Sequence, residues 1–100
     1  MTKPVVRKYL DISTGHMTKN DNDILAMNKA KDVLFDPFEY GYRVWVPSKK
    51  FAKETYKAMK KAGLSKSFRK IIKWACKKGM DWVAFDRDGT IYSQFKTFDW

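Results

Sequence analysis

Two amphipathic runs, each closed by a glycine, fill residues 48–79 and restrict this chain more than any other stretch. At about 100° per residue, Phe51, Ala52, Thr55, Tyr56, Ala58, Met59 and Ala62 share one arc of a helix. Lys49, Lys50, Lys53, Lys57, Lys60 and Lys61 fill the opposite arc. Ser48 is placed to cap the start of this helix, and Gly63 to end it with a left-handed residue. Ser65 or Ser67 caps a second helix with Leu64, Phe68, Ile71, Ile72 and Ala75 along one side. Lys66, Arg69, Lys70, Lys73 and Lys77 line another side, Trp74 falls on the border, and Gly79 is the stop. Helices of this length owe their stability to burying the apolar arc, so the rest of the chain must supply a surface for both.

That rest has the pattern of a small sheet. Residues 5–13 alternate as a strand, with Val6, Leu10 and Ile12 on one face and Tyr9 on the other. Thr18 and Asp21 have capping-box spacing ahead of a short helix over residues 20–30, which packs through Ile24, Leu25 and Met27. Residues 31–39 read as a loop around Pro37, with Leu34, Phe35 and Phe38 tucked under the core. Residues 40–46 form the clearest strand, Tyr42, Val44 and Val46 on one face and Arg43 and Trp45 on the other, stopped by Pro47. Residues 81–85 are apolar on both faces after the first residue, as a central strand requires. Asp88-Gly89 signals a hairpin into a return strand over residues 90–95. The aromatic tail around Phe98 and Trp100 is expected to pack on the core. The expected fold is a single α/β domain over residues 1–100, with α+β as the variant. Its element order is β-α-β-α-α-β with an optional last strand, and three to four strands carry the basic helix pair.

Charge is segregated. Residues 48–79 hold twelve of the 21 Lys and Arg residues and one acid, Glu54, for a net +11, while all other residues sum to −1. A face of this kind selects polyanions, meaning nucleic acid or an acidic or nucleoprotein partner. Compact ammonium groups suit phosphates and carry little sequence information. The candidate contact residues are Lys50, Lys53, Lys57, Lys60, Lys61, Lys66, Arg69, Lys70, Lys73, Trp74 and Lys77. Cys76 is the one cysteine, which excludes an internal disulfide and fits a small buried side chain in a reducing compartment. No run is apolar enough for a signal peptide or a membrane span, so the expected location is the cytosol, that of the host for a phage protein.

Three motifs point elsewhere. Ala62-Gly63-Leu64-Ser65 resembles the turn of DNA-binding helix-turn-helix motifs, with Ile72 apolar as required and Arg69 where such motifs keep an apolar residue. Phe85-Asp86-Arg87-Asp88-Gly89-Thr90 resembles the first motif of haloacid-dehalogenase-type phosphatases, which implies Asp86 as nucleophile and Asp88 as acid/base beside Mg²⁺. Only ten residues follow Thr90, with Asp99 the one acid among them, so a strand entering an Asp-Gly turn is the plainer reading. Finally, Asp11, Ser13, Thr14 and His16 could meet Asp86 and Asp88 at the ends of neighbouring parallel strands. That would make a small metal-dependent hydrolase or nuclease with His16 as general base. Against it, a lone histidine in a polar loop is ordinarily solvated, and no cofactor or metal is expected.

Leu10-Asp11-Ile12-Ser13-Thr14-Gly15-His16, Tyr40-Gly41-Tyr42, Gly63-Leu64-Ser65 and Phe85-Asp86-Arg87-Asp88-Gly89 with Phe98-Asp99-Trp100 together resemble one family. Its members are small proteins of unknown function carried on bacterial plasmids, integrative elements and phages. The resemblance implies a mobile-element setting and no particular reaction. With the charge segregation it gives the leading expectation: a non-enzymatic accessory protein that binds a host macromolecule through its basic helices, as an anti-defence or host-takeover factor. A helix-turn-helix regulator and the small hydrolase are the alternatives, and the oligomeric state is left open.

Overall fold

The computed structural model describes residues 3–100. In chain order it contains β1 (Tyr9–Ser13), a 3-10 turn (Thr14–His16), α1 (Lys19–Ala26), β2 (Phe35–Phe38), β3 (Gly41–Trp45), α2 (Ala52–Ala62), α3 (Lys66–Lys77) and β4 (Trp82–Asp86). The four strands make one sheet in the order β1-β4-β3-β2. β1 runs parallel to β4, while β3 is antiparallel to both β4 and β2. This is a small mixed α/β domain.

Alternation along the strands sets the two layers. Leu10, Ile12, Val44, Val83 and Phe85 point to one face and are buried in a single cluster with Ile24, Leu25, Met59, Phe68, Ile71 and Ile72 of the helices. Phe68 stacks on Phe85 with ring centroids 5.2 Å apart. The other face carries Tyr9, Asp11, Arg43 and Trp45, all exposed, with Trp82 and Ala84 half-buried between them. The helices therefore cover one side of the sheet only. β4, apolar on both faces, is central as expected.

Several expectations need correction. Residues 35–38 form an edge strand rather than a loop, with Pro37 opposite Tyr42. Proline is tolerated there because an edge strand has one side of its ladder unpaired. Leu34, expected under the core, is 75% exposed. β1 starts at Tyr9, so Val6 lies outside the sheet and is exposed. α1 ends at Ala26, which leaves Met27 exposed beyond it. α2 starts at Ala52 without a side-chain cap; Ser48 instead closes a turn through its carbonyl, which accepts from the Phe51 N–H at 3.0 Å. Phe51, assigned to the apolar arc, is consequently exposed.

The return strand over residues 90–95 does not form. The turn is shifted from the expected Asp88-Gly89 loop: it spans Asp86–Gly89 with Arg87 and Asp88 at its centre, the Gly89 N–H donating to the Asp86 carbonyl at 2.8 Å. Both edges of β4 are already taken by β1 and β3, so no ladder remains for a hairpin partner. The chain instead crosses to the outer edge of β1. The Thr90 carbonyl accepts from Ser13 N–H at 2.8 Å, and the Tyr92 hydroxyl donates to the Asp11 carbonyl at 2.8 Å. Phe95 is buried, Phe98 N–H donates to the Gly15 carbonyl at 2.8 Å, and Trp100 Nε1 donates to the Met17 carbonyl at 2.9 Å.

His16 organises this tail. It is fully buried, not solvated. Its Nε2 accepts from Tyr92 N–H at 2.9 Å, which leaves Nδ1–H to donate to the Lys96 carbonyl at 2.9 Å. A neutral imidazole with one donor and one acceptor is the side chain that satisfies both backbone groups at once. Truncation leaves the Tyr92 N–H and the Lys96 C=O without their partner at a half-buried site, each costing up to about 1–3 kcal/mol. His16→Ala is expected to lower the unfolding free energy in urea by about 2–3 kcal/mol and to expose residues 90–100 to proteolysis before global unfolding. An unchanged urea midpoint with an uncut tail would refute the clamp.

Candidate nucleic-acid interface

The basic face is built from the turn between α2 and α3 outwards. Gly63, at φ 93°, reverses the chain, and Leu64 N–H returns to the Met59 carbonyl at 3.0 Å. Ser65 caps α3, its Oγ accepting from Phe68 N–H at 3.1 Å. The same hydroxyl donates to Asp21 Oδ2 at 2.6 Å, and Ser65 N–H donates to Asp21 Oδ1 at 2.7 Å. Asp21 also closes the capping box of α1, accepting from Thr18 N–H at 2.9 Å. One fully buried carboxylate thus joins the starts of α1 and α3. The sequence signal was only the Thr18–Asp21 box; the tie to Ser65, 44 residues on, had none.

With the inner arcs on the sheet, the lysines face outwards. Lys53, Lys57, Lys60 and Lys61 are exposed on α2, and Lys66, Lys70, Lys73 and Lys77 on α3. The α3 set follows i, i+4, i+7, i+11, a single stripe about 16 Å long at 1.5 Å per residue. Lys50 is exposed just before α2, its ammonium 5.5 Å from the Phe51 ring. The ion pairs among the described residues are Arg7–Asp81 and Lys19–Asp23, both away from α2 and α3. The helical lysines thus have no ion-pair partner among the described residues.

Two positions differ in kind from the rest. Arg69 is half-buried, its Nε donating to the Leu64 carbonyl at 3.3 Å, so it fastens the inter-helix turn. Trp74 is half-buried, edge-on to Phe95 at 5.7 Å, with the Lys78 ammonium 5.9 Å from its ring. Lys73 lies 5.2 Å over the ring of Tyr56. The Tyr56 phenol is pushed up to about 12, first by burial and then by Cys76 beside it, so at neutral pH it adds no negative charge to the face. Cys76 is buried, its Sγ donating to the Pro47 carbonyl at 3.3 Å.

Of the catalytic candidates, Asp11 and Asp86 line one groove on the uncovered sheet face, while His16 lies in the core. Both His16 nitrogens are engaged by backbone groups in the core, so neither is free to move a substrate proton. Asp86 Oδ1 accepts from Asp88 N–H at 2.8 Å, a turn-closing bond, and Asp11 Oδ2 accepts from the Thr90 hydroxyl at 3.1 Å. Ser13 Oγ accepts from Gly15 N–H at 3.0 Å, capping the 3-10 turn that Thr14 begins. Among the described residues no three His, Cys, Asp or Glu side chains are grouped to hold a metal ion. No described helix is long and apolar enough to cross a membrane.

Residues 9–100 match the family model described as the C-terminal domain of a family of unknown function, DUF5983. No curated protein and no solved structure matches the chain.

Proposed function

This chain belongs to the DUF5983 family of unknown function, and from that premise we propose that it is a nucleic-acid-binding accessory protein whose contact surface is the outer side of α2 and α3. The observation that carries the reading is the stripe of exposed lysines on both helices with no ion-pair partner among the described residues. Lys53, Lys57, Lys60, Lys61, Lys66, Lys70, Lys73 and Lys77 reach phosphates, with Lys50 extending the face at its edge. Arg69 and Trp74 act from beneath, holding the turn and the helix seat. In the mobile-element setting the target is host nucleic acid or a nucleoprotein complex, and masking it is an anti-defence or host-takeover role. Recognition rests on backbone charge, because lysines discriminate poorly between base edges.

Binding of this kind releases counterions and weakens steeply with salt. Fluorescence anisotropy with single-stranded and duplex oligonucleotides across a salt series measures it. Replacing Lys53, Lys57, Lys70 and Lys73 with Glu is expected to lower affinity at least about 100-fold near 0.1 M salt and to reduce the log–log salt slope by about three to four. The same exchange at Lys29 and Lys31, outside the face, is expected to leave both nearly unchanged. A wild-type protein that binds no oligonucleotide at low salt, or a quadruple variant that binds as before, would refute the proposal.

A further inference from the structure

The uncovered face of the sheet is patterned in rows. Tyr9, Trp82 and Trp45 are register partners across β1, β4 and β3, and the next outward-facing row is Asp11, Ala84, Arg43 and, on β2, Asp36. Tyr9 and Trp82 stack within 4° of parallel at 5.4 Å, and Trp45 meets Trp82 at 64° and 5.2 Å. Tyr9 is 54% and Trp45 36% exposed. Beside the aromatic row runs a groove of about 470 Å³ lined by Tyr9, Trp82, Phe38 and Ala84 with Asp11, Asp86 and Arg43. Arg43 is exposed and has no ion-pair partner among the described residues.

We infer that this face docks a second copy of the chain, sheet against sheet. Both rows are self-complementary about β4. A two-fold axis along that strand sets Asp11 of each copy opposite Arg43 of the other, Ala84 against Ala84, and Tyr9 against Trp45. Isologous contacts of this kind require each patch to be its own complement, and the acid, small, base run across β1, β4 and β3 satisfies that, Asp36 on β2 lying beyond the overlap. The helix layers carry the +11 segment and repel one another far more strongly than the sheet faces, where Asp11, Asp36 and Asp86 outnumber Arg43. Back-to-back pairing keeps the two basic layers on opposite outer sides.

Nucleic acid is disfavoured on this face. The Tyr9 and Trp82 rings already contact each other at a spacing where aromatic pairs are in contact, so no base enters between them. The surrounding carboxylates repel phosphate. The contact is small. The three overlapping strands, about 4.8 Å apart, and five residues at about 3.3 Å give roughly 240 Å² in plan, under the ~800 Å² per partner of a stable complex. Asp86 also faces its own copy at one end. The dimer is therefore reversible, forming between about 10 μM and 1 mM.

Sedimentation equilibrium over that range, with far-UV circular dichroism as the folding control, tests the inference. The wild type is expected to move from monomer to dimer and to stop there. Asp11→Arg and Arg43→Asp singly set like charges opposite one another twice, and each is expected to raise the dissociation constant at least about tenfold. The double variant D11R/R43D exchanges the signs and is expected to restore dimerisation, which a loss of fold would not. A monomer at all concentrations, a dimer indifferent to both single changes, or open-ended oligomers dispersed by salt would each overturn it. The last would mean basic face on acidic face. None of these outcomes bears on whether α2 and α3 bind oligonucleotides.

Discussion

Asp21→Ala is expected to remove about 4 kcal/mol from the unfolding free energy, a large share of the roughly 5–15 kcal/mol that holds a domain of this size together. The carboxylate is fully buried and accepts three hydrogen bonds, from Thr18 N–H, Ser65 N–H and Ser65 Oγ. Alanine leaves those half-buried donors without their acceptor and unties α1 from α3 in one step. Each hydrogen bond to a charged group is worth about 1.5–3 kcal/mol, and each buried donor left unpaired costs a similar amount. Asp21→Asn should recover little. The amide has one acceptor oxygen, and its NH₂ faces a backbone N–H whichever way it is turned. Asp23→Asn is the control. Asp23 makes an exposed i, i+4 pair with Lys19, worth under about 0.5 kcal/mol. Urea unfolding of the three variants decides the matter. If Asp21→Ala unfolds within 0.5 kcal/mol of wild type, a limit set at about the scatter of additive surface effects, the carboxylate does not join the helices.

The second large effect is expected at Gly41. A Cβ there would lie 1.7 Å from the Phe85 carbonyl oxygen and 2.8 Å from its carbon. Both are backbone atoms of β4 and cannot rotate aside. Alanine must push β3 off β4 at the start of their ladder, at a cost of about 3–4 kcal/mol, at or above the usual range for overpacking. Gly79 provides the contrast. It stands at φ 75° with nothing within 4 Å of its Cβ position, so Gly79→Ala carries only left-handed backbone strain, about 1–2 kcal/mol. Thermal and urea unfolding should separate the two clearly. Equal losses would mean that β3 and β4 do not approach so closely at Gly41.

What the sequence revealed and what it hid divide along one physical line. Helix faces are a local property, so the outward lysines of α2 and α3 were legible from periodicity alone. The strand character of residues 41–45 and 82–86 was equally local. β2 was hidden because four residues containing Pro37 give no strand signal; only pairing with β3 makes them one. A turn after β4 is legible in Asp88-Gly89, but its centre at Arg87-Asp88 and its outcome depend on β1 and β3 already occupying both edges of β4. His16 looked solvated because its partners, Tyr92 and Lys96, lie 76 and 80 residues away. Arg69 sat on the basic arc in projection, yet its side chain folds back onto Leu64. Tyr9, Trp45 and Trp82 were each visible on a second strand face. Strand order was needed to bring them into one row.

The sheet order carries a consequence for how the protein is made. β4 is the last strand in the chain and sits inside the sheet, between the first strand and the β2–β3 hairpin. On a ribosome adding about 5–20 residues per second, β1 emerges many residues before its only ladder partner. The hairpin waits with one edge open, and the apolar arcs of α2 and α3 have no complete surface to cover. Contacts this distant in sequence carry their loop-closure entropy before any pairing offsets it. Assembly is therefore deferred until residues 82–86 are released, and the sheet then closes in a single late event rather than strand by strand during synthesis.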